Sequence, residues 1–314
     1  MQGLINYPHI ASMAFNTPLY ATPELIAGVK SVLIPRLTGG QAETVSLEAA
    51  SEDATPLMMT EQEDREIRRM TISGNIAVIN VHGVLVSRRG TIDQSCSELI
   101  SYERLRTQIS AALNHDMVQE IVLDFHSGGG MAMGCKELAD FIHAATEIKP
   151  ITAIVNFAAY SAAYFLAAAC SKVICSPTGG VGSIGVILET FEVSKWEEEV
   201  GITYNTFYRG GHKNDMSPHE PITEQAVAEI NQKLDKSYQI FTESVAQYRE
   251  IDPQLVVDTE ARLFDPEEAL SLGLIDEISP AQDAVNQIAQ SYVQQETRPS
   301  IGLRAAAINL ESQL

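Results

Sequence analysis

Three short stretches of this 314-residue sequence carry the residue types that nucleophilic chemistry needs. The first is a glycine turn, His126-Ser127-Gly128-Gly129-Gly130. The second is a serine heading an almost side-chain-free run, Ala159-Tyr160-Ser161-Ala162-Ala163. The third is a lysine among glycines and polar residues, Gly210-Gly211-His212-Lys213-Asn214-Asp215. Attack on an amide carbonyl requires a hydroxyl that can lose its proton, a base that takes it, and backbone N–H donors facing the oxygen on which charge develops. The three stretches offer one candidate for each role.

Each motif also has an ordinary reading. A serine before an alanine-rich helix commonly caps it. Glycines after a strand commonly make a tight turn, and this turn lacks both the G-x-G-x-x-G spacing and the lysine-serine ending of a phosphate-binding loop. A solvated lysine has a pKa of about 10.4 and stays protonated at neutral pH, so Lys213 serves as a base only if it is desolvated. His212 and His219 offer a Ser-His alternative, although no acidic partner for either is fixed by the sequence. His82 and His126 adjoin strand ends and are expected to be structural.

The elements that must position these residues alternate between strand and helix. Ile76 to Val86 is a β-branched run broken by Gly83, and Ser97 to Asn114 has helical spacing of Leu99, Ile100, Leu105, Ile109 and Leu113. Glu120 to Phe125 reads as a buried strand leading into the glycine turn, with a helix over Met131 to Thr146. Pro150 to Phe157 and Ser161 to Cys170 repeat that unit, so Ser161 falls where strand gives way to helix. Further elements are a short helix near Val193 to Val200, a strand near Ile202 to Tyr208, a long helix from Thr223 to Arg249 and a last unit from Pro266 to Ile278. This order predicts an α/β fold with a mostly parallel sheet and crossover helices. The chain divides into an N-terminal segment (1–40) with one short helix from Pro23 to Leu33, an acidic linker (41–70), a main domain (71–280) and a Gln- and Ala-rich tail (281–314).

Composition narrows the functional classes. Hydrophobic residues make up 45% of the chain, enough for a sizeable core. A net charge of −20 and a pI near 4.7 argue against nucleic-acid binding, which needs clustered Lys and Arg. No apolar run reaches the length of about 18 residues that a membrane span needs, and the opening lacks a basic stretch followed by an apolar block. A cytoplasmic setting follows, in which Cys96, Cys135, Cys170 and Cys175 are expected as free thiols with neither disulfide nor zinc.

The combination resembles the S49 peptidases, the signal-peptide-peptidase-like group with a ClpP/crotonase-type fold, over about Ile76 to Ile278. Ser127-Gly128-Gly129-Gly130 stands for that family's Ser-Pro-Gly-Gly, Thr178 through Val186 for its T-G-S-I-G-V-like motif, and Gly211-His212-Lys213 for its lysine motif. Gly128 in place of proline, and Ala162-Ala163 in place of the more frequent glycines, are departures that remove no reacting side chain. The resemblance implies Ser161 as nucleophile, Lys213 as general base, Ser183 orienting the lysine, and an oxyanion hole from the N–H groups of Gly129 or Gly130 and of Ala162, with no metal or cofactor. Tyr7 to Leu19 further resembles the opening of the lambda-type phage head-maturation proteases, which implies action in an assembling procapsid within the host cytoplasm, on scaffold, portal and major capsid protein or on itself, as a homo-oligomer. In that family a scaffold-forming region often follows the protease, whereas this chain stops at Leu314, fitting a protease region alone or one served by a separate scaffold. A host signal-peptide peptidase, a crotonase-like acyl-CoA enzyme and a non-catalytic assembly factor are the alternatives.

Overall fold

The computed structural model describes residues 15–37, 70–73, 75–88 and 99–297. The expected acidic linker short of Met70, the opening up to residue 14, Cys96 and the tail beyond Thr297 lie outside the described residues.

The main sheet is built from β2 (Thr71–Ser73), β3 (Ile76–His82), β6 (Glu120–Ser127), β8 (Ile151–Tyr160), β9 (Lys172–Cys175), β10 (Gly180–Gly182), β11 (Leu263–Phe264) and β12 (Glu277–Ile278). Strands β3, β6 and β8 pair in parallel, and β8 then serves β9 with its first half and β10 with its last three residues, both parallel. β2 and β11 are antiparallel additions at the two ends. The β6–β8 register jumps between Phe125, opposite Val155, and His126, opposite Ala158, so Asn156 and Phe157 have no counterpart in β6. A small second sheet runs β1 (Leu19–Ala21), β7 (Gly129–Met131), β4 (Leu85–Val86), β5 (Ile100–Ser101). It crosses the chain where the glycine turn leaves β6.

Alternation along the strands separates two apolar layers, because successive strand side chains point to opposite faces. Ala77, Ile79, Val81, Ile121, Leu123, Phe125, Ala153 and Val155 join one large core with the helices α2 (Tyr102–Leu113), α3 (Cys135–Ala145), α4 (Ala162–Ala168) and α6 (Glu224–Arg249). Ile76, Val122, Ile154 and Ile174 face the other way and are covered by Ala284, Val285 and Ile288 of α9 (Ala281–Thr297). α1 (Pro23–Leu37), α5 (Ser194–Glu199), α7 (Pro253–Val257) and α8 (Pro266–Ser271) complete the set of described helices.

Several expectations are corrected. Ile202 to Tyr208 is not a strand; it is irregular and exposed, with Phe207 92% accessible, because no neighbouring strand offers it a ladder. The helix expected from Met131 begins at Cys135, since Gly129–Met131 are taken up as β7 between β1 and β4. The helix expected to end at Leu33 continues to Leu37. Cys135, Cys170 and Cys175 are buried free thiols; burial pushes the Cys175 thiol up to about 12.

The C-terminal end of α6 is tied to the sheet by charge. Arg249 donates to both carboxylate oxygens of Asp276 at 2.9 and 2.6 Å, and Asp276 also accepts the Val173 N–H at 2.7 Å. Burial raises the Asp276 pKa, but the hydrogen bonds from Arg249 and Val173 outweigh it and hold the carboxyl below its ordinary value. A depressed folded-state pKa gives stability that is complete above the unfolded value of about 3.9 and is lost as pH falls through the lower folded value. Calorimetric melting from pH 6 down to pH 2 should therefore show an acid limb that Asp276→Asn flattens, the variant melting lower than the parent at neutral pH.

Candidate active site

Ser161 follows the last residue of β8 with φ 56° and ψ −119°, a conformation that non-glycine residues rarely adopt. Its N–H donates to the Gly182 carbonyl at 2.8 Å, and its own carbonyl accepts the Phe165 N–H at 2.9 Å, which starts α4. The side chain makes no capping bond, so the capping role open to this serine is not the one it takes. The residue is 1% exposed, and Oγ is buried with no hydrogen-bond partner among the described residues. A buried hydroxyl without a partner and a strained backbone both cost stability, so the surrounding structure must hold them in place.

The glycine turn meets Ser161 by close backbone approach. At Gly129, φ is +103°, and a Cβ there would stand 2.2 Å from the Tyr20 carbonyl oxygen, 3.0 Å from Ser161 Cβ and 3.1 Å from Ala162 N. At Gly130 a Cβ would stand 1.9 Å from the Leu85 oxygen. Only glycine allows these approaches. Ser127 braces the turn: its hydroxyl donates to Gly83 O at 2.6 Å and accepts the Gly129 N–H at 3.1 Å. The Gly129 N–H is thereby engaged, while Gly130 lies opposite Tyr20 in the β1–β7 pairing. Ala162, as the first residue of α4, has an N–H with no intrahelical partner to serve.

Ser183 sits just past Gly182, the residue that holds the Ser161 N–H. It is 9% exposed with φ 55°, and its N–H donates to Arg262 O at 2.8 Å. Lys213 stands apart. It is exposed in a turn where its N–H donates to Gly210 O at 3.1 Å, and its side chain makes no hydrogen bond or ion pair with the described residues. Within one chain the structure thus gathers Ser161, Gly129, Gly130, Ala162 and Ser183 and leaves the Lys213 amine in solvent.

The histidines find partners that the sequence did not reveal. His212 Nδ1 lies 2.8 Å from Asp215 Oδ2, and His219 Nδ1 lies 2.6 Å from Glu197 Oε1, with the His219 ring stacked on Tyr204. His82 Nε2 lies 3.0 Å from Asp124 Oδ2, and the His126 ring packs on Phe157. None of the four is hydrogen-bonded to Ser161. Reasoning from sequence missed Tyr20 and the bracing role of Ser127; the serine's place directly before the glycines is the signal that pointed to it.

The model of peptidase family S49 matches residues 143–295, a span that holds Ser161, Ser183 and Lys213. Over 304 residues the chain is 32% identical to capsid assembly protease C of Escherichia phage lambda, covering 95% of this chain and 69% of that protein. The chain belongs to peptidase family S49. This S49 chain is also 31% identical over 311 residues to the head-tail preconnector protein GP5 of Enterobacteria phage P21, covering 96% of this chain and 62% of that protein. Among solved structures the S49 chain is similar to a ClpP1 variant from Listeria monocytogenes, at 13% identity over 66% of this chain and 92% of that one, with a TM-score of 0.40. No described helix is long and apolar enough to cross a membrane.

Ser127→Ala would leave the buried Gly129 N–H without its acceptor and give the exposed Gly83 carbonyl back to water, a loss of about 1–3 kcal/mol carried by the buried donor. Thermal melting should fall by several degrees, and an unchanged melting temperature would show that the turn does not depend on this brace.

Proposed function

We propose that this chain is a serine endopeptidase of phage head maturation, with Ser161 as nucleophile and Lys213 as general base. Ser161 Oγ forms a bond to the peptide carbonyl carbon while the Lys213 amine takes its proton; the C–N bond then breaks, the amine returns the proton to the leaving nitrogen, and water hydrolyses the acyl-serine ester. The N–H groups of Gly130 and Ala162 receive the oxyanion, with Gly129 shaping the turn, and Ser183 steadies the lysine. No metal or cofactor enters the reaction.

The observation that carries this reading is the Ser161 hydroxyl, buried without a partner on a strained strand-to-helix turn against the glycine backbone. The likeness to the lambda capsid assembly protease supports the biological setting: action inside an assembling procapsid in the host cytoplasm, on scaffold, portal and major capsid protein or on the chain itself. The base role requires the irregular arm that carries Lys213, residues 201–222, to close over Ser161 and leave water. The same arm exposes Ile202, Tyr204 and Phe207, an apolar surface that assembly into a homo-oligomer would bury.

In co-expression with the phage scaffold, Ser161→Ala and Lys213→Ala should each lower cleavage by on the order of a thousandfold or more while far-UV circular dichroism stays unchanged. Lys213→Arg should be equally inactive, because a guanidinium does not give up its proton. Full cleavage by either alanine variant would discard the dyad.

A further inference from the structure

The strand before α1 is held in an unusual way for an edge segment, being paired along both of its sides. On one side Leu19, Tyr20 and Ala21 pair antiparallel with Met131, Gly130 and Gly129; the Ala132 N–H donates to Pro18 O at 3.3 Å and the Thr22 N–H to Gly128 O at 3.1 Å. On the other, Leu19 exchanges hydrogen bonds with Ile187 at 2.8 and 3.0 Å, and the Asn16 N–H reaches Glu189 O at 3.0 Å. An extended segment added to a strand edge, here β7, and held by main-chain bonds is how peptides are captured by strand addition, and the stretch at Ile187 closes over its other side.

The register places the segment on the reacting atoms. The Tyr20 carbonyl oxygen, Ser161 Cβ and Ala162 N all lie within 3.1 Å of one point, the place a Cβ on Gly129 would occupy. The Tyr20 side chain is 3% exposed, its ring 4.7 Å from Phe241 and 5.8 Å from Phe165 by centroids, and its hydroxyl donates to Ser237 O at 2.7 Å. Phe165 lies on the helix that Ser161 opens, so this pocket adjoins the nucleophile. The chain continues through Ala21 and Thr22 into α1, and the Ser161 hydroxyl beneath it is sealed from solvent.

We propose that Asn16–Thr22 is a built-in occupant of the substrate track, and that Tyr20 marks a pocket selecting a bulky aromatic side chain on the residue whose carbonyl Ser161 attacks. The inference rests on Ser161 being the nucleophile. Other peptides enter when this segment is displaced. The Ser237 carbonyl at the pocket floor favours a phenol over a plain phenyl ring, because it receives a hydrogen bond only from the former.

The test is binding of a fluorescent, end-blocked synthetic peptide spanning Asn16 to Thr22 to the full-length chain, read by anisotropy. Leu19→Pro in the chain removes the N–H given to Ile187 and should loosen the occupant. The peptide should bind this variant at least about tenfold more tightly than it binds the parent, and a Tyr20→Ala peptide should bind the variant about tenfold more weakly than the native peptide. Labelling of Ser161 by a fluorophosphonate should be faster in the variant by a similar factor. If Leu19→Pro does not fold, Tyr20→Ala in the full-length chain, which keeps every backbone bond, takes its place with the same readouts. No binding to the folded variant, or equal binding of the two peptides, overturns the proposal. Peptide binding needs no chemistry at Ser161, so cleavage surviving in Ser161→Ala would refute the nucleophile independently of this result.

Discussion

A single backbone twist at Ser161 governs the architecture around it. Holding a non-glycine residue at φ 56° and ψ −119° costs on the order of 1–3 kcal/mol, and the surroundings must over-determine it. Gly182 does so from one side through its carbonyl, and Gly129 from the other by lying against the serine's Cβ. Gly182 is itself pinned against the Arg262 carbonyl, where any Cβ would stand 2.4 Å away. Each of the two glycines beside the serine is thus demanded by a close approach of its own, Gly129 by the Tyr20 carbonyl and Ser161, Gly182 by the Arg262 carbonyl and the Phe264 ring.

Small residues extend that solution inward. All of α4 is buried, and its alanines let it sit close to β7, α3 and α6, while Tyr164, fully enclosed, spends its hydroxyl on the Leu274 carbonyl at 2.8 Å. The helix is thus fixed within its first turn as well as at Ser161. Close packing of this kind has low compressibility and resists displacement, which keeps the serine in place without help from its own side chain.

Much of this was legible in the residues. The β-branched runs at Ile76 and Glu120, the glycines after β6 and the alanines after Ser161 obey local rules, so strand, turn and helix follow from pattern. What resisted reading depended on contacts between distant segments. Ile202 to Tyr208 has strand-forming residues but no ladder to join. The pairing of Pro18-Leu19-Tyr20 could not be read from the residues because its partners, β7 and the stretch at Ile187, lie more than a hundred residues away in sequence. The carboxylate partners of His212 and His219 follow from the folding of the arm, and pattern alone does not foretell them. For Lys213 the residue type was readable and its surroundings were not, because desolvation is a property of neighbours.

The unmatched pair Asn156 and Phe157 in β8 has a consequence in parity. Strand side chains alternate with a period of two, so an insertion of one residue would turn every later side chain through the sheet to the wrong face. An insertion of two preserves phase: Val155 and Ala159 both remain buried in the same apolar layer, and the strand gains the length to reach β10 after it has finished with β9. Shortening this stretch by a single residue would leave the inward and outward faces exchanged just before Ser161, whereas shortening it by two would keep the faces and cost only reach.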